Sequence, residues 1–294
     1  MLIRYLTCIL VATLLLGCGD GGSGGSAAPS SEPGIPRVVV IAMENREYES
    51  VIGNPAWPNV NNLANSYTLA TNYFAVTHPS LPNFVAMASG ITVADNSGPQ
   101  VPANVHSIVD QLTEKGIAWR VYQDGLPAAG ATDCVSPCAR TFNPFVWFDS
   151  VVLDPSKVIN IVPAAQLLDD LNRPHPPDFI WYVPDFITSG HNSTDEFTDN
   201  FLNQFVSQIM SSSWWGNGTN RRIFITWDEG LTNLGIGGNP GGGHIVAIVI
   251  DQKGHQEISR PANHYGFLRT LETIYGLPFL GQAADPANGD LLTP

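Results

Sequence analysis

Residues 37–45 read Arg37-Val38-Val39-Val40-Ile41-Ala42-Met43-Glu44-Asn45, a β-branched and aliphatic run that stops on a carboxylate. Apolar on both faces, it suits a strand buried inside a sheet. Phe179-Ile180-Trp181-Tyr182-Val183 is a second such run and ends at Pro184-Asp185. Arg222-Ile223-Phe224-Ile225-Thr226-Trp227 is a third and ends at Asp228-Glu229. Ile245 to Ile250 is a fourth, opening directly after His244, and Ala118 to Tyr122 is a weaker fifth. Helical patterns fall between them. Asn104 to Lys115 carries Val105, Ile108, Val109 and Leu112, with Gly116 as a stop. Ser193-Thr194-Asp195-Glu196 reads as a capping box that opens a helix toward Met210. Asn263 reads as the cap of a helix through Leu268, Leu271 and Ile274, closed by Gly276 with Pro278 beyond. Buried strands alternating with amphipathic helices predict a three-layer α/β/α sandwich around a mostly parallel sheet. Gly125 to Asp154 is irregular and aromatic, and is expected as a loop excursion near the site.

The strand ends carry the chemistry. In open α/β sheets ligands collect beyond the carboxyl ends of the strands. If the three strands are parallel neighbours, Glu44, Asp185, Asp228 and Glu229 converge on one edge. Gathered carboxylates repel one another, and a bound cation removes that cost, so a metal cluster is expected. The rival reading, in which each acid caps the next turn, is the better one for any single acid taken alone. His78-Pro79-Ser80-Leu81-Pro82-Asn83 holds a serine between two prolines that stiffen its backbone. A free hydroxyl is a poor nucleophile, and coordination to the metal of Glu44 and Asp228 would activate Ser80. His191, in PDFITSGHNSTDE, and His244, after GGNPGGG, each follow or precede an acid-bearing strand and are read as metal ligands or phosphate contacts. The GGGH run precedes a strand and lacks the lysine of a P-loop, so it is not read as a nucleotide-binding loop.

Composition narrows the partners. The chain has 294 residues, with 13 Lys+Arg against 26 Asp+Glu and a formal net charge of −13, so it offers no basic footprint for nucleic acid. An acidic protein also repels anionic phosphates at long range, and a phosphate site would need local positive charge. Arg4 and the apolar run Leu6 to Leu16 form a leader too short to span a bilayer. Leu15-Leu16-Gly17-Cys18 resembles a bacterial lipobox, which predicts a signal peptide over 1–18 and a lipid on Cys18. Residues 19–36 then form a Gly/Ser-rich tether, and 37–294 the enzymatic domain. The expected location is the cell envelope, on an exported, membrane-anchored bacterial lipoprotein. Export favours a local disulfide between Cys134 and Cys138.

MENREYESVIG, THPSLPNFVAMASG, ITWDEG, GGGH and NHYGFLRTLETIYGLPFLG occur in this order. Together they resemble the phosphoesterase family of bacterial acid phosphatases and phospholipases C, within the alkaline phosphatase superfamily. The resemblance spans nearly all of Arg37 to Gly281. It implies an alkaline phosphatase-like fold and a metal-dependent phosphoric ester hydrolase. Ser80 matches the nucleophile, and Glu44 and Asn45 the metal and phosphate contacts of the first strand. Asp228 and Glu229 match the acids completing the first metal site. Asp185, His191 and His244 match the positions of a second metal, His78 a phosphate contact, and His264 a residue lining the site. One or two divalent ions are implied, with Zn, Mn, Mg and Ca all permitted by such ligands. The expected substrate is a small phosphomonoester, with a phospholipid or other diester as the alternative. An apolar platform for a lipid would come from Trp119, Phe145, Trp147, Phe148, Trp214 and Trp215. A non-catalytic binding lipoprotein is the rival from another class, and no C-x-P-x-R motif of a sulfatase is present.

Overall fold

The computed structural model describes residues 34–97, 101–216, 218 and 220–292; the leader and residues 19–33 of the tether lie outside them. The described residues form ten strands: β1 (Arg37–Met43), β2 (Thr68–Ala70), β3 (Tyr73–Phe74), β4 (Trp119–Gln123), β5 (Ile161–Pro163), β6 (Phe179–Val183), β7 (Arg221–Trp227), β8 (Ala247–Ile250), β9 (Gln256–Ile258) and β10 (Ala262–Asn263). Eight of them build one sheet in the order β5-β4-β6-β1-β7-β8-β2-β9, and β10 pairs with β3 apart from it. The centre is parallel: β1 lies between β6 and β7, with Val39 opposite Ile180 on one side and Ile223 on the other. β8 alone runs against the other sheet strands, pairing antiparallel with both β7 and β2. No crossover helix separates β7 from β8, so the chain turns back rather than returning parallel. The strand expected over Ile245 to Ile250 pairs only from Ala247.

Adjacent residues of β6 show the layers. Trp181 points to one face and meets Phe267 of the His264–Tyr275 helix, with ring centroids 6.4 Å apart. Tyr182 points to the other and meets Phe205 of the Asp195–Met210 helix at 4.3 Å. Both faces of a central strand are thus covered, which is why its sequence shows no polar alternation. The result is the three-layer α/β sandwich with a mostly parallel sheet.

Helix starts follow side-chain chemistry more closely than apolar spacing. The helix expected from Asn104 is Ile108–Glu114. Asp110 accepts hydrogen bonds from the Ser107 N–H (2.8 Å) and hydroxyl (3.0 Å), and this local pairing sets the start. The helix expected behind Ser193 is capped one residue later, by the Thr194 hydroxyl accepting from the Phe197 N–H. Ser193 instead donates to the Ile187 carbonyl at 2.7 Å. Asn263 does cap its helix, accepting from Tyr265 and Gly266, and Gly276 closes it at φ 61°.

The Gly125 to Asp154 excursion consists of short turns and the helix Asp149–Val152, with Cys134 and Cys138 disulfide-bonded. Its aromatics do not make a platform. Phe145, Trp147 and Phe148 are buried, as are Trp119, Trp214 and Trp215. Their apolar area is consumed by the core, the usual fate of large aromatics. From the excursion Phe142 reaches toward the site, 6.4 Å from His191 between ring centroids.

Candidate active site

The parallel register of β1 and β7 sets Met43 opposite Trp227, so Glu44 and Asp228 leave the sheet side by side. The ladder continues one step further, with the Asp228 N–H donating to the Met43 carbonyl at 2.9 Å. Asn45 then donates its N–H to Asp228 Oδ1 at 3.1 Å. Asn45 is the single non-glycine with positive φ (50°) among the described residues. A left-handed turn at this point is a local cost met where the strand must give way to the site.

Ser80 opens the Ser80–Ser89 helix, behind the cis His78–Pro79 peptide. Asn83 fixes the segment leading to it, accepting from the Val76 and Thr77 N–H groups and donating to the Thr77 carbonyl at 2.8 Å. The Ser80 hydroxyl lies 3.2 Å from Glu44 Oε2 and 3.1 Å from Glu229 Oε1. Glu44 and Asp228 are fully buried, and Ser80 and Glu229 nearly so. One hydroxyl proton cannot serve two carboxylates, so a proton or a cation must sit among them.

The electrostatics are those of crowded acids. Burial, then the charge of Asp228, lifts Glu44 well above the usual carboxyl range. Burial, then Glu229, pushes Asp228 up to about 7. Glu229 is raised by burial too, but His78 opposes the rise. His78 Nδ1 is 2.5 Å from Glu229 Oε2 and Nε2 is 2.9 Å from the Thr232 carbonyl. Both ring nitrogens therefore face acceptors, the arrangement of an imidazolium. Burial depresses His78, but the Thr232 carbonyl and Glu229 outweigh it and the net shift is upward. His264 is buried behind the strand end, Nε2 2.6 Å from the Asp228 carbonyl and Nδ1 2.9 Å from the Tyr73 hydroxyl. Burial pulls it down to about 4, so it is a neutral support of the Asp228 backbone.

The other expected residues are placed differently. Asp185 caps its own turn, Oδ1 accepting from the Ile187 and Thr188 N–H groups at 2.8 Å. Asp185 thus serves as a turn cap at its strand end. His191 is exposed, with Nδ1 2.8 Å from Asn192 Oδ1; it lies close enough to Glu229 to lower that residue's pKa but makes no hydrogen bond to it. His244 turns away. Its ring stacks on Tyr48 at 4.3 Å, Nδ1 faces Glu49 at 3.0 Å, and Nε2 lies 3.3 Å from the Thr71 carbonyl. The second-metal set Asp185, His191 and His244 is therefore not assembled, and His78 has no ring nitrogen free for a phosphate. Among the described residues no three His, Cys, Asp or Glu side chains are arranged to hold a metal by themselves. A mixed oxygen set fits a cation better: Glu44 Oε1, Asn45 Oδ1 and Asp228 Oδ2 are buried without any hydrogen-bond partner. With Ser80 they supply hard oxygen donors from two carboxylates, an amide and a hydroxyl.

Two residues with structural consequences at the site gave no signal in the sequence. Arg46 ties the end of β1 outward, to Asp195 at 2.9 Å and the Gly190 carbonyl at 3.0 Å. Glu47 accepts hydrogen bonds from Leu231, Thr232 and His244. Close packing accounts for the glycines at 230 and 241–243. A Cβ on Gly242 would stand 2.1 Å from the Thr77 carbonyl oxygen, and one on Gly230 2.1 Å from Glu47 Oε2.

An acid phosphatase of Aspergillus fumigatus is 30% identical over 87% of this chain, which spans 61% of that relative's length. The chain spans about three fifths of each of the first fungal relatives it matches. A phosphatidylinositol-3-phosphatase of Mycobacterium tuberculosis is 29% identical over 88% of this chain and 83% of its own. Among solved structures, a protein in the alkaline phosphatase superfamily from Vibrio parahaemolyticus shares the fold, with a TM-score of 0.58 at 16% identity, covering 85% of this chain and 70% of that one. Residues 54–278, which carry Ser80, Asp228 and Glu229, match the Phosphoesterase family, and the chain is a member of that family.

Proposed function

We propose that the protein hydrolyses phosphate esters with Ser80 as nucleophile. The carrying observation is the Ser80 hydroxyl held within 3.2 Å of two buried carboxylates at the edge where the parallel strands end. Glu229, held by His78 Nδ1 at 2.5 Å, accepts the hydroxyl proton as Oγ attacks phosphorus. The P–O bond to the alcohol breaks, the alkoxide leaves and is protonated, and Ser80 carries the phosphoryl group. His191, having given its proton to the leaving oxygen, then takes one from the water that attacks phosphorus, and phosphate departs as Glu229 returns its proton to Ser80 Oγ. Glu44, Asn45, Asp228 and Ser80 are the residues that would hold a divalent cation. When bound, that cation would supply positive charge to the phosphoryl oxygens and lower the pKa of the nucleophile. It would also answer the long-range repulsion expected of so acidic a chain. His191, exposed at the rim and near enough to Glu229 to lower its pKa, is the candidate donor to the leaving oxygen.

Phosphomonoesters are the first reading, supported by the named acid phosphatase relative. Phospholipid is the second. Val135, Ile187, Leu231 and Leu234 are exposed at 63%, 36%, 76% and 50% on loops following the ends of β4, β6 and β7, the edge that holds Ser80. The Mycobacterium tuberculosis relative, named for a phosphoinositide, favours the same alternative. Rates on p-nitrophenyl phosphate, bis-p-nitrophenyl phosphate and a phosphoinositide vesicle, before and after chelation, test both. Turnover of the monoester that falls with chelator and returns with a divalent ion is expected. No turnover of any of the three would end the proposal.

The lipobox assignment is proposed to tether this domain to the cell envelope through Cys18. Metabolic labelling with a fatty acid in a bacterial host should mark the wild type and not Cys18→Ser. Equal labelling, or none in either, would dismiss the anchor.

A further inference from the structure

We propose that Glu47 is a positioning residue for the Ser80 cluster, acting through the loop that follows β7. Its carboxylate grips both ends of that loop. Oε2 accepts from the Leu231 N–H at 2.6 Å and the Thr232 N–H at 3.2 Å. Oε1 accepts from the Thr232 hydroxyl at 2.8 Å and the His244 N–H at 2.9 Å. Four donors fill the four lone-pair sites of one carboxylate, which leaves Glu47 no capacity to hold a cation. Two glycines exist to admit it. A Cβ on Gly230 would meet Glu47 Oε2 at 2.1 Å, and one on Gly243, at φ +106°, would meet it at 2.9 Å.

The grip matters because of what Thr232 does next. Its carbonyl accepts from His78 Nε2 at 2.9 Å, and the same ring holds Glu229 at 2.5 Å through Nδ1. Glu229 Oε1 is 3.1 Å from the Ser80 hydroxyl. The path Glu47–Thr232–His78–Glu229–Ser80 is thus continuous, and every member is a hydrogen-bonded contact. An imidazole ring held at one nitrogen swings about that bond; held at both, it is fixed. By fixing the Thr232 carbonyl, Glu47 fixes the His78 ring, and with it the carboxylate that receives the serine proton. Glu49, two residues on, is the natural control, since its carboxylate meets the His244 ring at 3.0 Å and is otherwise exposed.

The kinetic half of the test rests on the hydrolase reading above; the spectroscopic half does not. Full-length protein labelled with ¹⁵N-histidine is compared as wild type, Glu47→Gln, Thr232→Val and Glu49→Gln. Glutamine places an N–H₂ group against backbone donors, so two of the four bonds are lost with little change of size. The hydrogen-bonded Nε2 proton of His78 should broaden or move in Glu47→Gln, and to a lesser degree in Thr232→Val, with unchanged circular dichroism. On p-nitrophenyl phosphate, kcat should fall ~10–100-fold with KM within about two-fold, the signature of a misplaced group. Glu49→Gln should match wild type in both readouts. An unchanged His78 resonance in folded Glu47→Gln, or an equal change in Glu49→Gln, overturns the proposal. Should Glu47→Gln not fold, an unperturbed His78 in Thr232→Val overturns it in the same way. If wild type turns over no phosphate ester, the hydrolase reading fails while the His78 resonance still decides the role of Glu47.

Discussion

Ser80→Ala is expected to lower phosphate-ester turnover by about ten-thousand-fold or more while the protein stays folded. The hydroxyl meets side-chain carboxylates, Glu44 and Glu229 among them, and the helix it opens takes its cap position from Pro79, so no backbone partner is lost. Removing it leaves two carboxylates across a methyl group. Glu44, already driven by burial and by Asp228 to keep its proton, absorbs that added repulsion. Turnover is measured on p-nitrophenyl phosphate beside a thermal melt. Residual activity within ten-fold of wild type, in protein melting normally, would remove Ser80 from the role of nucleophile.

Asp228→Asn should separate function from stability. Activity and its response to divalent ions are expected to vanish, while the chelator-treated protein becomes more stable at alkaline pH. Burial and then Glu229 hold the Asp228 carboxyl at about 7, above its range in the unfolded chain. The folded state therefore keeps a proton that the unfolded state has released. The stability this group contributes is complete below about pH 4 and drains away as pH rises through about 7. Asparagine cannot drain, and its Oδ1 can still accept from the Asn45 N–H. At pH 8 the variant should exceed chelated wild type by on the order of 2 kcal/mol. Urea midpoints from pH 5 to 8 in chelator make the comparison. Parallel curves for the two proteins would show that Asp228 does not carry the buried charge.

The fold was readable because its central strands are covered on both faces. Val38 to Met43, Phe179 to Val183 and, apart from Thr226, Ile223 to Trp227 are then apolar, and such runs are hard to mistake. The meeting of Glu44 with Asp228 was readable for a related reason, since acids closing parallel neighbours end at one edge. Where a side chain spends its hydrogen bonds was not readable. Asp185 ends its strand just as Glu44 does, but Thr188 three residues on offers it a local turn. In the chain His244 stands beside an acid-bearing strand, whereas Tyr48 and Glu49 claim its ring across the fold. Ser193 and Thr194 are both competent caps, and a contact with Ile187 decides between them. Glu47 was invisible because its four donors are backbone or hydroxyl groups roughly two hundred positions away, and a backbone N–H leaves no mark in a sequence.

The pairing of Met43 with Trp227 has a mechanical consequence. Acids carried on loops could drift apart when unpaired, relaxing their mutual repulsion by a few ångströms of motion. Glu44 and Asp228 cannot, because the strands that bear them are zipped together at the middle of the sheet, and parting them would tear the core. The tension between them can be discharged chemically, by taking up a proton or a positive ion, but not by a change of shape. Such a cradle is already in its working form before anything enters it, and little is spent on rearrangement when something does.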